Sequence, residues 1–133
     1  MIRAVIDTNV FVSAFWKGGH DTPPSRIYKA ISAGKIIPVY SKGIIAEYED
    51  VLYRAKFRFN TRIVESLIDT IRTNGDEVEP AESGELFPDP DDRVFSCAAL
   101  AARSAGCLLV TGNARHFPAA PFVVSPAKLA GLL

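Results

Sequence analysis

The sequence predicts an α/β fold with a mostly parallel central sheet, because short apolar runs of strand length alternate with stretches that show helical spacing. Hydrophobic residues make up 48% of the 133 residues, which is enough to fill a core and too many for a disordered chain. No internal repeat or low-complexity tract interrupts this alternation. We therefore expect a single domain over residues 1–133, with a sheet of four to five strands flanked by helices.

The predicted strands are short and apolar, and turn or capping residues bound each of them. They are Ile2–Ile6, Ile36–Tyr40, a weak strand at 77–79, and strands at 107–111 and 122–124. Between them, apolar residues recur every three or four positions after a capping residue, which predicts helices. The expected helices are 10–16, 25–33, 41–53, 60–73, 89–104 and a terminal helix that starts at Ser125-Pro126.

Charge and cysteine content narrow the classes of function. Lys plus Arg and Asp plus Glu count 15 each, which argues against binding nucleic acid by bulk charge but allows a local basic patch. Cys97 and Cys107 fit buried reduced thiols, and no Cys/His spacing predicts zinc. The apolar runs are too short to cross a bilayer and no signal-peptide pattern opens the chain, so we expect a cytoplasmic protein without a membrane partner.

Asp7 is the first candidate site residue, because it directly follows the apolar strand Ile2–Ile6. An acid at the end of a buried strand must be solvated, paired or metal-bound. In parallel sheets, ligands bind at the carboxyl ends of the strands, where Thr111 and Asn113 also fall. Thr111 is suited to hydrogen-bond an active-site carboxylate, or it is only a β-branched strand residue. The alternative for Asp7 is a plain helix cap.

Glu47 is the second candidate, because it lies on or beside the apolar stripe of its predicted helix. It comes three residues after Ile44 and four before Val51, whereas Glu49 and Asp50 fall on the other face. A carboxylate on the apolar side of a helix costs stability unless something compensates it. The alternative is an edge position from which Glu47 reaches water.

The third acidic position is Asp91 or Asp92, at the predicted start of the helix 89–104. Asp92 lies three residues before the apolar Phe95 and is the preferred ligand. The alternative is that both acids only complement the helix dipole. Asn113 offers a neutral oxygen to a metal or to a metal-bound water, or else Gly112-Asn113 is simply a turn.

These candidates are hard oxygen ligands without histidine or cysteine, which favours Mg²⁺ or Mn²⁺ over zinc. Mg²⁺ keeps several waters and prefers a few carboxylates together with substrate phosphate. Such a site suits phosphodiester hydrolysis, in which the metal activates a water and offsets charge on the leaving oxygen.

Four segments resemble the acidic motifs of PIN-domain ribonucleases, in the same order and at similar spacing. They are Ala4-Val5-Ile6-Asp7-Thr8-Asn9-Val10, then Ile44-Ile45-Ala46-Glu47-Tyr48, then Asp89-Pro90-Asp91-Asp92-Arg93-Val94-Phe95, and finally Leu109-Val110-Thr111-Gly112-Asn113 with His116-Phe117. The resemblance covers nearly the whole chain. The strongest likeness is to the VapC-like toxins of bacterial toxin–antitoxin pairs.

The resemblance implies a three-layer PIN-like fold and a metal-dependent endoribonuclease that uses Mg²⁺ or Mn²⁺. It implies that Asp7, Glu47 and Asp92 are the catalytic acids and metal ligands, with Asn113 as a fourth ligand. Asn9, Thr111 and Asp91 are supporting residues. It also implies a homodimer and inhibition by a small antitoxin protein. The family often has aspartate where Asn113 stands, and this departure weakens a site for two metal ions.

Basic residues interleaved with aromatic ones form a candidate surface for RNA. Arg54, Lys56, Arg58 and Arg62 flank Phe57 and Phe59, a pattern that suits phosphate contact combined with base stacking. The alternative is a solvated loop whose phenylalanines pack on the core. Arg115 lies near the fourth motif and is a further candidate for RNA contact.

Other functions fit the sequence less well. A catalytically weak PIN-like module that only binds RNA or its antitoxin remains the main alternative, and Asn113 motivates it. A phosphoacceptor domain of the response-regulator type needs an acidic pair after the first strand, where this chain has Asp7-Thr8. A haloacid-dehalogenase phosphatase needs a second aspartate where Asn9 stands.

Overall fold

A computed structural model describes residues 1–16, 21–81, 90–112 and 121–133, without the side chains of 90–92. Within this part of the chain, five parallel strands form one sheet in the order β3-β2-β1-β4-β5. The strands are β1 (Ile2–Ile6), β2 (Ile36–Tyr40), β3 (Asp76–Glu77), β4 (Leu108–Val110) and β5 (Val123–Val124). The predicted α/β fold with a parallel sheet of four to five strands is confirmed.

Six α-helices flank the sheet in the described part of the chain. They are α1 (Thr8–Trp16), α2 (Pro23–Ser32), α3 (Lys42–Leu52), α4 (Thr61–Asn74), α5 (Pro90–Ala101) and α6 (Pro126–Gly131), with 3₁₀ turns at Ala55–Phe57 and Arg103–Ala105. The side chains of Ser41, Asn60 and Ser125 accept hydrogen bonds from first-turn amides, so these predicted caps are confirmed. Thr22 also caps α2, which therefore begins two residues earlier than expected.

The hydrophobic core lies on both faces of β1, the central strand. Ala4, Val5 and Ile6 are fully buried although their side chains alternate between the two faces, so helices cover both sides of the sheet. The order of the strands reverses between β1 and β4, because β2 and β3 lie on one side of β1 while β4 and β5 lie on the other. In open α/β sheets, this reversal opens a crevice at the carboxyl ends of the strands.

Some boundaries differ from the predicted ones. Helix α5 ends at Ala101 and a 3₁₀ turn follows at Arg103–Ala105. Gly106 ends that turn with a left-handed φ of 80° and leads the chain into β4. Cys107 is buried but Cys97 is only half-buried, so the expectation of two buried thiols is right for Cys107 alone. No helix in the described segments is long and apolar enough to span a membrane.

Candidate active site

Asp7 lies at the sheet edge where β1 and β4 end. Its backbone amide donates a hydrogen bond to the Val110 carbonyl at 2.9 Å, and its own carbonyl accepts one from the Val10 amide at the start of α1. The Thr111 hydroxyl donates to the Asp7 carboxylate at 2.7 Å, from 104 residues away in the sequence. The predicted contact between Thr111 and the carboxylate is therefore confirmed, and it lies in the crevice where the strand order reverses.

The Asp7 carboxylate is held in a desolvated environment. Burial raises its pKa above the usual 3.8, while hydrogen bonds from Thr111 and from the amides of Asn9 and Thr8 oppose the rise. The Asn9 amide is 3.5 Å from the second carboxylate oxygen, so that hydrogen bond is weak. Among the described residues, no basic side chain forms an ion pair with Asp7. Within the described part of the chain, the charge of Asp7 is therefore offset by hydrogen bonds alone.

Thr8, the next residue, has an unsatisfied hydroxyl oxygen at the same end of the sheet. We call this end, with Asp7, Thr8 and Thr111, the Asp7 corner. Its side chain is 3% exposed, and its hydroxyl has no hydrogen-bond partner in the described part of the chain. A buried hydroxyl without a partner costs about 1–3 kcal/mol, so positions like this one are rare in folded proteins. The buried Thr8 hydroxyl is therefore a cost that the fold carries beside Asp7, whereas the Asp7 carboxylate is the group that fits a divalent cation.

Tyr48 connects α3 to this corner of the sheet. Its hydroxyl donates to the Ile6 carbonyl at 2.5 Å, and its ring packs edge-on against Phe11 and beside Phe95. Full burial and the negative charge of Asp7 raise the pKa of Tyr48 well above its ordinary value, so the phenol stays protonated and keeps donating. Tyr48 thus fixes α3 beside the last residue of β1.

Glu47 is half-buried on α3, immediately before Tyr48. It interacts with another group of the protein. Because the Tyr48 hydroxyl holds this turn of α3 to β1, Glu47 is carried by the helix turn that adjoins the Asp7 corner. Its half-buried position agrees with the prediction that it lies beside the apolar stripe, and it is also what an edge position would show.

The first turn of α5 carries the third acidic position. The helix begins at Pro90, as predicted, but the side chains of Asp91 and Asp92 lie outside the described part of the structure. Further along α5, Phe95 is buried and packs against Tyr48, so α5 borders the same corner as α3. Asn113 and Arg115 also lie outside the described residues, as does Asp89, the first residue of the predicted helix.

The described residues contain no group of three Asp, Glu, His or Cys side chains placed to hold a metal ion. The predicted ligand set includes the Asp92 side chain and Asn113, and the structure describes neither. The structure thus brings Asp7 and Thr111 together and places α3 and α5 beside them. The full ligand set stays a prediction.

A family model described as PIN domain matches residues 3–115. The chain belongs to the PIN-domain family. Neither the comparison with curated proteins nor the one with solved structures gave a match. PIN domains are generally nucleases, and those nucleases typically use divalent metals. The matched segment contains the motif residues from Ala4 to Asn113 but not His116-Phe117.

Two residues at this corner of the PIN domain were not predicted as site residues, Tyr48 and Thr8. In the sequence, Tyr48 stands out only as the last residue of the second motif. A tyrosine within an otherwise aliphatic stripe needs a partner for its hydroxyl, and this signal could have marked it. Thr8 follows the strand-end acid directly and gave no signal of its own, because its burial depends on how α1 packs.

Proposed function

We propose that this protein is a metal-dependent endoribonuclease that hydrolyses RNA phosphodiester bonds at the Asp7 corner. The observation that carries the proposal is the carboxylate of Asp7, which is desolvated, oriented by Thr111 and without a basic partner among the described residues. Half-buried carboxylates with a structural role are normally paired with a cation of the protein. A carboxylate kept without one is typical of metal and catalytic sites.

Asp7, Glu47 and Asp92 would hold Mg²⁺ or Mn²⁺, with Asn113 as a neutral ligand. When bound, the ion supplies a polarised water and stabilises the charge that builds on the phosphate oxygens. Thr111 orients Asp7 through its hydrogen bond, and the Asn9 amide supports the other oxygen. Asp92 is the preferred ligand and Asp91 a supporting acid, because adjacent residues of a helix point in different directions and both cannot face one ion equally.

The biological setting that we propose is a VapC-like toxin of a bacterial toxin–antitoxin pair, acting in the cytoplasm as a homodimer and held inactive by a small antitoxin. This finer assignment rests on the likeness of the four motifs to those toxins. A reading frame for a short antitoxin-like protein beside this gene would support it.

The test is cleavage of an end-labelled single-stranded RNA by purified protein with Mg²⁺, with Mn²⁺ and with excess chelator. We expect cleavage that requires a metal ion and that Asp7→Asn lowers by roughly a hundredfold or more. The matched control is Asp69→Asn, because Asp69 is an exposed acid on α4 and should not affect the rate. Full activity of Asp7→Asn, or full activity in chelator, would contradict the proposal.

The second candidate function is a PIN-like module that binds RNA or its antitoxin without effective catalysis. The amide of Asn113, where the family often has a carboxylate, favours it. Calorimetric titration with Mn²⁺ distinguishes the two functions when it is combined with the cleavage assay. Metal binding without any turnover would favour the module, and robust turnover would exclude it.

A further inference from the structure

A chain of packed aromatic rings joins the C-terminal end of α1 to the 3₁₀ turn after α3. The Phe57 and Phe59 rings are stacked, with centroids 5.1 Å apart and planes 4° apart. Trp16 meets Phe57 edge-on at 5.7 Å, and Phe15 meets Phe59 at 5.5 Å. We call Trp16, Phe57 and Phe59 the aromatic platform. Phe57 and Phe59 belong to the basic and aromatic segment singled out in the sequence. None of the three platform residues is a candidate ligand at the Asp7 corner.

The exposure of Trp16 distinguishes this platform from a small hydrophobic cluster that is packed against the core. Its side chain is 63% exposed, and it is the single tryptophan of the chain. An indole that stays in solvent contributes little hydrophobic stabilisation to the fold. Contiguous exposed apolar surface typically marks a binding site. The edge-on contact with Phe57 leaves most of the indole accessible to another planar group.

Positive charge surrounds the platform. The Lys56 ammonium lies 5.1 Å from the centre of the Phe57 ring, and Arg58 stands between the two stacked phenylalanines in the sequence. Arg54 is partly neutralised, because it forms an ion pair with Asp50 at 3.0 Å. Exposed cations beside aromatic faces are the combination that holds phosphates and bases of a single strand.

A cavity of about 360 Å³ adjoins the platform. Its walls include the rings of Phe15, Tyr28 and Phe59 and the basic side chains of Lys29 and Arg58. Among the described residues that line it, none is acidic. The volume and the aromatic walls suit one base, and the two cations suit the phosphate attached to it.

Arg58 holds its place at a conformational cost. Its φ of 53° is left-handed, and it is the single non-glycine residue with a positive φ in the described segments. Glycine or asparagine would adopt this conformation more easily. The chain keeps a guanidinium where the backbone favours a smaller residue, which is consistent with a use for its charge.

We propose that the aromatic platform and the adjoining cavity bind single-stranded RNA, with a base stacked on Trp16 and phosphates held by Lys56 and Arg58. The proposal rests on the proposed function for the identity of the substrate. Helix α1 has nine residues and lies between the Asp7 corner and Trp16. At 1.5 Å per residue, the distance along the helix is about 13 Å. A strand of a few nucleotides bridges that distance, so the platform holds substrate beyond the nucleotides that are cut.

The first test uses the fluorescence of Trp16, excited at 295 nm, in chelator so that no RNA is cleaved. A mixed-sequence single-stranded RNA of twelve nucleotides should quench the emission and shift its maximum, because a stacked base contacts the indole directly. A duplex of the same sequence should quench it far less, since its bases are already stacked. Absence of quenching by the single strand at saturating binding would overturn the proposal.

The second test compares affinities by fluorescence anisotropy of a labelled strand. Trp16→Ala should weaken binding by about tenfold. The matched control is Tyr53→Ala, because Tyr53 is an aromatic residue 40% exposed beside Glu49, Glu65 and Asp69, where RNA should not bind. Equal affinity of Trp16→Ala and wild type would overturn the proposal.

The third test uses Arg58→Gly, which removes the charge while easing the backbone, so misfolding does not explain a loss. The logarithm of affinity should fall with the logarithm of salt concentration with a slope smaller by about 0.7 than in wild type. Arg72→Gln, on the exposed face of α4, is the control and should keep the slope. An unchanged slope in Arg58→Gly would contradict a phosphate contact there.

Two further outcomes would assign the platform to another partner. If sedimentation shows that Trp16→Ala dissociates a dimer while RNA affinity stays the same, the platform is a surface between two copies of this chain. If an antitoxin-like peptide quenches Trp16 and RNA does not, it is a protein-docking surface. Failure of the nuclease proposal is recognised separately, because quenching in chelator requires no catalysis.

Discussion

The carboxylate of Asp7 is in an environment unlike that of an acid on the protein surface. Burial opposes its charge, Thr111 and two amides support it, and the described part of the chain supplies no neutralising cation. The residue therefore costs stability when it is ionised without a metal. This cost is a property of the metal-free protein that can be measured independently of any nuclease assay.

The pH dependence of stability should reveal that cost. Because the pKa of Asp7 is higher in the folded than in the unfolded state, the folded protein binds more protons, and the contribution of Asp7 to stability falls as pH rises from 3.8 through the raised value. In chelator, Asp7→Asn should therefore melt at a higher temperature than wild type at pH 7. The difference should shrink as pH falls toward 4. A lower melting temperature for Asp7→Asn at pH 7 would contradict this account.

Thr111 should matter through its hydroxyl. Thr111→Val keeps the shape and removes the hydrogen bond to Asp7, so the carboxylate loses its orientation and its pKa should rise further. We expect Mn²⁺ affinity, measured by calorimetry, to fall by about tenfold to a hundredfold. Thr111→Ser retains the hydroxyl and should keep most of the affinity. Equal loss in both variants would indicate a packing role instead.

At the scale of elements, the contacts that hold neighbouring elements together decide where the candidate residues lie. Hydrogen bonds that capping side chains accept from first-turn amides fix where α3, α4 and α6 begin. The starts of these helices could be predicted because a cap acts within three residues. The end of α5 and the short strands were not predicted accurately. The limits of β3, β4 and β5 depend on pairing with neighbouring strands, which local sequence does not encode.

Tyr48→Phe tests the link between α3 and β1. The change removes the donor to a buried carbonyl and should lower the free energy of unfolding by about 1–3 kcal/mol. Tyr40→Phe is the matched control, because the Tyr40 hydroxyl makes only a long hydrogen bond of 3.4 Å to the Arg72 carbonyl. Denaturant unfolding of both variants measures the difference. Equal losses would show that the Ile6 hydrogen bond has no special weight.

Gly75→Ala tests the tight join between α4 and β3. An added Cβ at this position would lie 2.3 Å from the Pro38 carbonyl oxygen and 2.4 Å from that of Ile71, so the backbone of β2 or α4 must move. We expect a loss of about 2 kcal/mol or more in chemical denaturation. Gly131→Ala meets no neighbouring atom and should leave stability unchanged or slightly higher. A neutral Gly75→Ala would show that this join is loose.

For the whole molecule, the sequence sufficed to predict the α/β class, the parallel sheet and the strand-end position of Asp7. Those features follow from local periodicity and from the general rule that sites lie at the carboxyl edge. The hydrogen bond from Tyr48 to Ile6 and the rings joining Trp16 to Phe57 were not predicted. Each joins residues about forty positions apart, and only the packed fold determines such contacts.

Metal binding should stabilise the entire fold. If Asp7, Glu47 and Asp92 share one ion, that ion links β1, α3 and α5, and it binds the folded state alone. Mn²⁺ at a hundred times its dissociation constant should add about 2.7 kcal/mol, which raises the melting temperature. Asp7→Asn should lose that increase, whereas Asp69→Asn should keep it. A shift that is equal in wild type and Asp7→Asn would place the ion elsewhere.

The contact between Asp7 and Thr111 has a consequence for the timing of synthesis. A ribosome adds Asp7 104 residues before it adds Thr111, the partner of its carboxylate. The strand that carries Thr111 must then insert beside β1 before the carboxylate is oriented. A growing chain therefore cannot orient the Asp7 carboxylate until Thr111 has been added, so the candidate site assembles only after that stretch of the chain is translated.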